Sequence, residues 1–122
     1  MLTPAQWFGR SSEARAARYL RKQGYRILEV NYQHRLGEID IIAEEGDTLV
    51  FVEVKARRNP FLQTPKAAVT LRKQRKIVQV AQAYLKTAGH PLKRMRFDVV
   101  AISAHVTPPQ VELIRHAFDA AG

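Results

Sequence analysis

The sequence predicts an α/β domain, a mixed β-sheet with helices packed on it, in the order α-β-β-β-α-β-β. Three observations carry that expectation. Residues 37–58 alternate about a Gly-bearing turn with period two, the signature of a hairpin. Residues 9–24 and 64–88 repeat their apolar side chains at helical spacing. Arg96 to Ser103, RFDVVAIS, is apolar on both faces and reads as a central strand covered on both sides. At 122 residues the chain is expected to form one domain, residues 1–122, long enough to bury a core of its own.

The first helix is expected over residues 9–24. Ser11 or Ser12 caps its start, because a hydroxyl accepts from an orphan backbone N–H. Ala14, Ala17 and Leu20, flanked by Ala16 and Tyr19, form its apolar stripe; Arg15, Arg18, Arg21 and Lys22 face outward. Trp7 and Phe8 precede it as a hydrophobic staple, and Gly24 is the natural residue past its end. Residues 26–32 form a strand, and Gln33 to Gly37 turn the chain into the central hairpin. After Arg58, Thr64-Pro65 supplies a cap and a first helical proline, with Thr70 as a second cap midway. Ile77, Val78, Ala81, Tyr84 and Leu85 carry that helix to about Ala88, and Gly89 ends it. Pro108-Pro109 marks a loop, and Val111 to Ile114 reads as a last edge strand. The first three strands form an antiparallel meander, and the long helix crosses over to set the fourth parallel to the third.

The absence of cysteine excludes disulfides, thiolate zinc sites and a cysteine nucleophile, and fits a cytoplasmic location. The N-terminal residues have no apolar leader core. The longest aliphatic or aromatic run, Leu49 to Val52, is far too short to span a membrane, so no membrane role is expected. The net charge of +9 is unevenly placed. Between Glu53 and Asp98 there is no carboxylate, and twelve lysines and arginines fall in that interval. A one-sign block of this kind points to an anionic polymer, nucleic acid before anionic membrane. Arg57, Arg58, Arg72, Lys73 and Lys76 are its candidate contacts. Lys73 and Lys76 lie one turn apart on one helix face, which suits phosphate tracking, and neither is expected in the hairpin cluster. The alternative is a solvated basic face. No Gly-rich phosphate loop, Ser-His-Asp order or aromatic platform for single strands stands out.

The hairpin carries the chemistry. Ile39, Ile41 and Ala43 alternate with Glu38, Asp40 and Ile42; Glu53 and Lys55 share a face of the next strand. If the turn has even length, Asp40 comes level with Glu53, and two carboxylates and a lysine converge where a divalent metal can sit. The competing reading is a cross-strand salt-bridge ladder. Two observations favour the metal: Glu53 and Lys55 lie in a very apolar strand, and an acid-free basic block follows them. Glu38 is as readily a partner of Arg35 or Lys55, and Asp98 a buried partner of a nearby arginine. His34, His90, His105 and His116 have no ligand spacing.

Through Gly37-Glu38-Ile39-Asp40 and Phe51-Val52-Glu53-Val54-Lys55-Ala56-Arg57, the chain resembles the YraN-like family of small bacterial proteins. That family is similar to archaeal Holliday-junction resolvases and to restriction-endonuclease-like PD-(D/E)xK nucleases. The likeness extends to Glu13, Gly24-Tyr25, Asn31, Lys73, Arg96-Phe97-Asp98 and Ala117-Phe118, and departs from the superfamily pattern at Ile39, where a proline is usual.

The resemblance implies a restriction-endonuclease-like core and a Mg²⁺ or Mn²⁺ site. Asp40 and Glu53 match the motif carboxylates, Lys55 the motif lysine and Glu13 the helix-borne glutamate. The Val54 carbonyl is a further candidate ligand. DNA is the implied partner, in particular branched or recombination intermediates, and paired cutting implies a homodimer by analogy. Three functions compete: a metal-dependent endonuclease, a nucleic-acid-binding module without turnover, and a basic protein-interaction domain.

Overall fold

The computed structural model describes residues 1–58, 69–89 and 94–120. The elements run α1 (Pro4–Lys22), β1 (Arg26–His34), β2 (Gly37–Glu45), β3 (Thr48–Arg57), α2 (Leu71–Ala88), β4 (Arg94–Ser103) and β5 (Gln110–Phe118). The five strands form one sheet in the order β1-β2-β3-β4-β5. β3 and β4 are parallel, and every other neighbouring pair is antiparallel. This is the expected mixed α/β architecture of the restriction-endonuclease-like type. The Thr64-Pro65 cap and His90 lie outside the described residues.

The helices cover opposite faces of the sheet. Ala16, Ala17 and Leu20 of α1 pack with Ile41, Ala43, Val50, Val52, Val100 and Ile102. Ile77, Val80, Ala81 and Tyr84 of α2 pack with Ile42, Leu49, Phe51, Phe97 and Val99. Two apolar layers therefore squeeze β3 and β4 between them, burying β3 over Leu49–Glu53 and β4 over Phe97–Ile102.

α1 begins five residues earlier than the periodicity over residues 9–24 alone indicates. Thr3 accepts from the Gln6 backbone N–H (3.2 Å), and the Gln6 side chain accepts from the Thr3 N–H (2.8 Å). This reciprocal pair satisfies two orphan donors, and Pro4 needs no donor at the first helical position. Ser12 is therefore a buried residue inside the helix, not its cap. Trp7 is likewise within α1 and 64% exposed, so it does not precede the helix as a staple, and the Phe8 side chain lies outside the described residues. At the other end Gly24 takes φ 95°, and the Gly24 and Tyr25 N–H groups return to the Arg21 and Leu20 carbonyls. Thr70 caps α2 by accepting from the Lys73 N–H, and Gly89 closes it in the left-handed conformation, as expected.

β5 runs four residues past Ile114. A register irregularity between Phe97 and Val99 lets His116, at φ 53°, donate its N–H to Asp98 Oδ1 (3.0 Å). Phe118 then stacks on Phe97 at 5.0 Å, and Phe97 on Phe51 at 5.7 Å. Such pairs each contribute about 0.5–1.5 kcal/mol beyond area burial, enough to hold a short edge extension in place.

Asp98 is fully buried and fully satisfied. Besides His116 it accepts from the Tyr25 hydroxyl (2.7 Å) and twice from Arg96 (2.8 and 2.9 Å). Arg96 also reaches Glu45 at 2.7 Å, which Arg115 binds from β5 at 2.9 Å. These two arginines, Arg115 foremost, hold the Glu45 carboxyl below its usual range. The buried-arginine role expected for Asp98 is what the fold shows.

Candidate metal and nucleic-acid site

The turn between β2 and β3 is the two-residue Gly46-Asp47, so its length is even. The ladder runs from Glu45↔Thr48 to Ile41↔Val52, and continuing it sets Asp40 level with Glu53. There the ladder stops. The Asp40 carboxylate, not a backbone carbonyl, takes the Val54 N–H at 2.8 Å. In a strand the N–H and C=O of one residue point to the same side. The Val54 carbonyl is thus directed toward the gap beside Asp40.

Asp40 also stands where β2 changes face. Ile41 packs with the α1 layer, yet Ile39 packs with the α2 layer, as Ile42 does. Regular alternation would place Ile39 with Ile41. The cause lies across the ladder, where Asn31 of β1 adopts φ 55° between the pairs Val30↔Ile41 and Tyr32↔Ile39. The face expected for Ile39 is corrected by this kink. Its consequence is that Asp40 interacts electrostatically with α1 through Glu13 and with α2 through Lys73.

Glu53 is 5% exposed and has Lys55 Nζ and Lys73 Nζ each 3.8 Å from Oε1. Burial, and then the Asp40 charge, push its carboxyl up to about 8, against the pull of Lys73 and Lys55. Burial raises Asp40 as well, opposed first by the Val54 hydrogen bond. Two neighbouring carboxyls, both raised, cannot both ionise cheaply without a cation. Glu13, half-buried on α1, is pushed to about 7 by burial, then by Asp40 and Glu38, with Arg10 opposing.

The donor set suits a hard divalent cation. It has two neighbouring carboxyls whose crowding Lys55 and Lys73 offset only in part, and a backbone carbonyl directed at the gap. Among the described residues no three His, Cys, Asp or Glu side chains group closely enough to hold a metal by themselves. Mg²⁺ keeps several of its waters and needs only one or two protein carboxylates, so a pair is sufficient.

The sequence expectation that Lys73 stands apart from the hairpin cluster is corrected. Thr70 places Lys73 in the first turn of α2, which lies over the end of β3 that carries Glu53. Lys76 and Arg72 are exposed on the same helix, Arg58 is exposed and Arg57 half-buried at the end of β3. Glu38 is bound by Gln33 at 2.8 Å, not by Arg35 or Lys55. His34 and His116 stand near strand ends, and His105 in a turn.

α1 carries a second basic surface, to which the outward-facing Arg18 and Arg21 expected from the sequence belong. Trp7, Arg10, Ala14, Arg18 and Arg21 are all exposed and recur at steps of three and four along α1. Of these only Trp7 falls outside the helix expected over residues 9–24, and the earlier start of α1 adds it to the stripe. Among the described residues no helix is long and apolar enough to cross a membrane.

Residues 12–102 match the profile of a family described as uncharacterised protein family UPF0102. The UPF0102 protein of Desulfosudis oleivorans is 49% identical over 120 residues, covering 98% of this chain and 96% of its own. That of Rhodococcus jostii is 49% identical over 111 residues, covering 90% and 94%. That of Lachnoclostridium phytofermentans is 47% identical over 115 residues, covering 93% and 94%. Full-length similarity at this level bears out the YraN-like resemblance, and the chain belongs to the uncharacterised protein family UPF0102.

Proposed function

We propose that the chain is a metal-dependent endonuclease that hydrolyses phosphodiester bonds in DNA, with branched or recombination intermediates as its substrates. The observation that carries this reading is the pairing of Asp40 with buried Glu53 where the β2–β3 ladder ends, with Lys55 and Lys73 both 3.8 Å from Glu53. Asp40, Glu53 and the Val54 carbonyl would hold Mg²⁺ or Mn²⁺. The ion, when bound, supplies Lewis acidity toward water and charge neutralisation toward the phosphate.

The chain's own groups do the rest. Lys55 keeps a third of its side chain open to solvent, so its ammonium can meet a phosphate oxygen as negative charge develops there. Water oxygen bonds to phosphorus, the bond to the leaving oxygen breaks, and that oxygen takes a proton from a solvent water. The proton released by water passes to a nearby base. Glu13 suits that task, because a carboxyl pushed to about 7 is half-ionised near neutral pH. The exposed cations Arg58, Arg72 and Lys76, with Arg57, draw the backbone toward the site. Paired cuts across a junction require a second copy of the chain.

A second reading keeps the nucleic acid and drops the turnover. The two ammonium groups beside Glu53 already neutralise it, as a retired metal site would. Incubation of duplex, single-strand, flap and four-way-junction DNA with Mg²⁺ and with Mn²⁺ separates the two. Cleavage of at least one substrate by the wild type, absent in Glu53→Ala, is the expected result. Binding without cleavage under both metals would select the second reading.

A further inference from the structure

α1 presents to solvent a stripe that the sheet does not use. Ala16, Ala17 and Leu20 go inward, while Trp7, Arg10, Ala14, Arg18 and Arg21 face out on the other side. Arg10 to Arg21 spans about 17 Å of helix axis. Beside the stripe, β1 contributes Val30, 45% exposed, and Asn31 in its left-handed conformation. Between the two elements runs a groove of about 460 Å³, walled by Arg10, Arg18 and Arg21 on one side and floored in part by Val30.

Three features of this groove point to one ligand chemistry. Its cations are available, since Arg18 and Arg21 form no salt bridge among the described residues. It leads to the carboxylate cluster, because Glu13 lines it and interacts with Asp40. One helix turn before Arg10, on the same exposed stripe, stands the indole of Trp7, which borders a separate hollow with Ser11 and Arg58. An exposed indole beside spaced cations is the pairing that binds unpaired nucleotides: cations follow the phosphates and the ring stacks on a base. A base inside a duplex has both faces occupied by its neighbours and offers nothing to the indole.

We propose that the α1 stripe binds a single-stranded nucleic-acid segment, with Arg10, Arg18 and Arg21 on its phosphates and Trp7 stacked on an unpaired base. This rests on the nucleic-acid half of the proposed function and not on cleavage. It explains how a small domain selects branched DNA: the duplex arm meets the α2 side, and an unpaired stretch at the branch meets α1.

Trp7 is the chain's sole tryptophan, so its fluorescence reports on this site alone. The wild-type protein is titrated in EDTA with a 12-nucleotide oligo-dT and with a 12-base-pair duplex, and anisotropy of labelled strands follows binding. Oligo-dT is expected to quench Trp7 to saturation while bound duplex leaves its emission unchanged. Trp7→Ala should weaken oligo-dT binding about ten-fold without affecting the duplex, and Trp7→Phe should restore most of it. Arg18→Ala with Arg21→Ala should make the salt slope for oligo-dT shallower by about 1.4. Bound oligo-dT with unchanged Trp7 emission would overturn the proposal. So would an equal loss of single-strand and duplex affinity in Trp7→Ala. Failure of both nucleic acids to bind would remove the nucleic-acid reading as well. Absence of cleavage alone would leave this site standing.

Discussion

Replacing Glu53 by glutamine should stabilise the metal-free protein at alkaline pH. Glu53 ionises near 4.5 in an unfolded chain and only near 8 in the fold, because it is buried beside Asp40. Between those values the folded state holds the proton more tightly than the unfolded state does. Stability from this group is therefore complete below about pH 4.5 and is lost as pH rises toward 8. Each pH unit in that window costs about 1.4 kcal/mol, so the ceiling at pH 7.5 is about 4 kcal/mol. Asp40 shares the proton, and the partly solvated lysines offset some of the charge, so about 2 kcal/mol is the expected loss. Glutamine keeps the shape and cannot ionise. It gives up the two 3.8 Å ammonium contacts, but these are partly exposed and worth little. Thermal melts followed by circular dichroism in EDTA should place Glu53→Gln about 8 °C above wild type at pH 8 and level with it at pH 4.5. Adding Mn²⁺ at pH 8 should raise the wild type toward the variant. A wild-type melting temperature flat from pH 5 to 8, with Glu53→Gln no more stable, would refute the account of two crowded carboxyls.

Four further outcomes are expected. Lys55→Ala should bind Mn²⁺ in calorimetry as the wild type does, yet cut a cleavable substrate about 100-fold more slowly, since an ammonium is no ligand. Lys76→Ala should make the salt dependence of duplex binding shallower by about 0.9 with metal affinity unchanged. Lys73→Ala should in addition raise Mn²⁺ affinity about three-fold by removing a competing cation 3.8 Å from Glu53. Asp98→Ala should lower stability by about 3–5 kcal/mol in urea unfolding, because it strands Arg96, Tyr25 and the His116 N–H together.

Much of this arrangement was legible in the chain itself. Period-two alternation located the hairpin, the even turn Gly46-Asp47 set Asp40 against Glu53, and the doubly apolar β4 gave away its central position. The start of α1 was also legible, in Thr3, Pro4 and Gln6, but two serines nearer the apolar stripe looked like the better cap. Other features depend on partners far away in sequence and leave no local trace. Ile39 changes face because Asn31 on another strand takes positive φ. β5 continues to Phe118 because Asp98, eighteen residues earlier than His116, catches the irregular backbone. Lys73 joins Glu53 only once α2 has folded back across the sheet.

The ion network around Asp98 has a consequence for how tolerance to change is distributed along the strands. Glu45 and Asp40 are five residues apart on β2, about 17 Å. At the Glu45 end each charge meets an opposite one, so that end is minimally frustrated and ties β2, β4 and the edge strand β5 together. At the Asp40 end two buried carboxyls are crowded together and the partly solvated Lys55 and Lys73 offset only part of the conflict, so that end stays locally frustrated. One set of strands thus keeps its conflict and its resolution at opposite ends. The chain can hold a poorly compensated cluster because a well-compensated one secures the same strands. Substitutions at the first end should scatter their cost through the whole fold, whereas those at the second should relax the protein while disarming it.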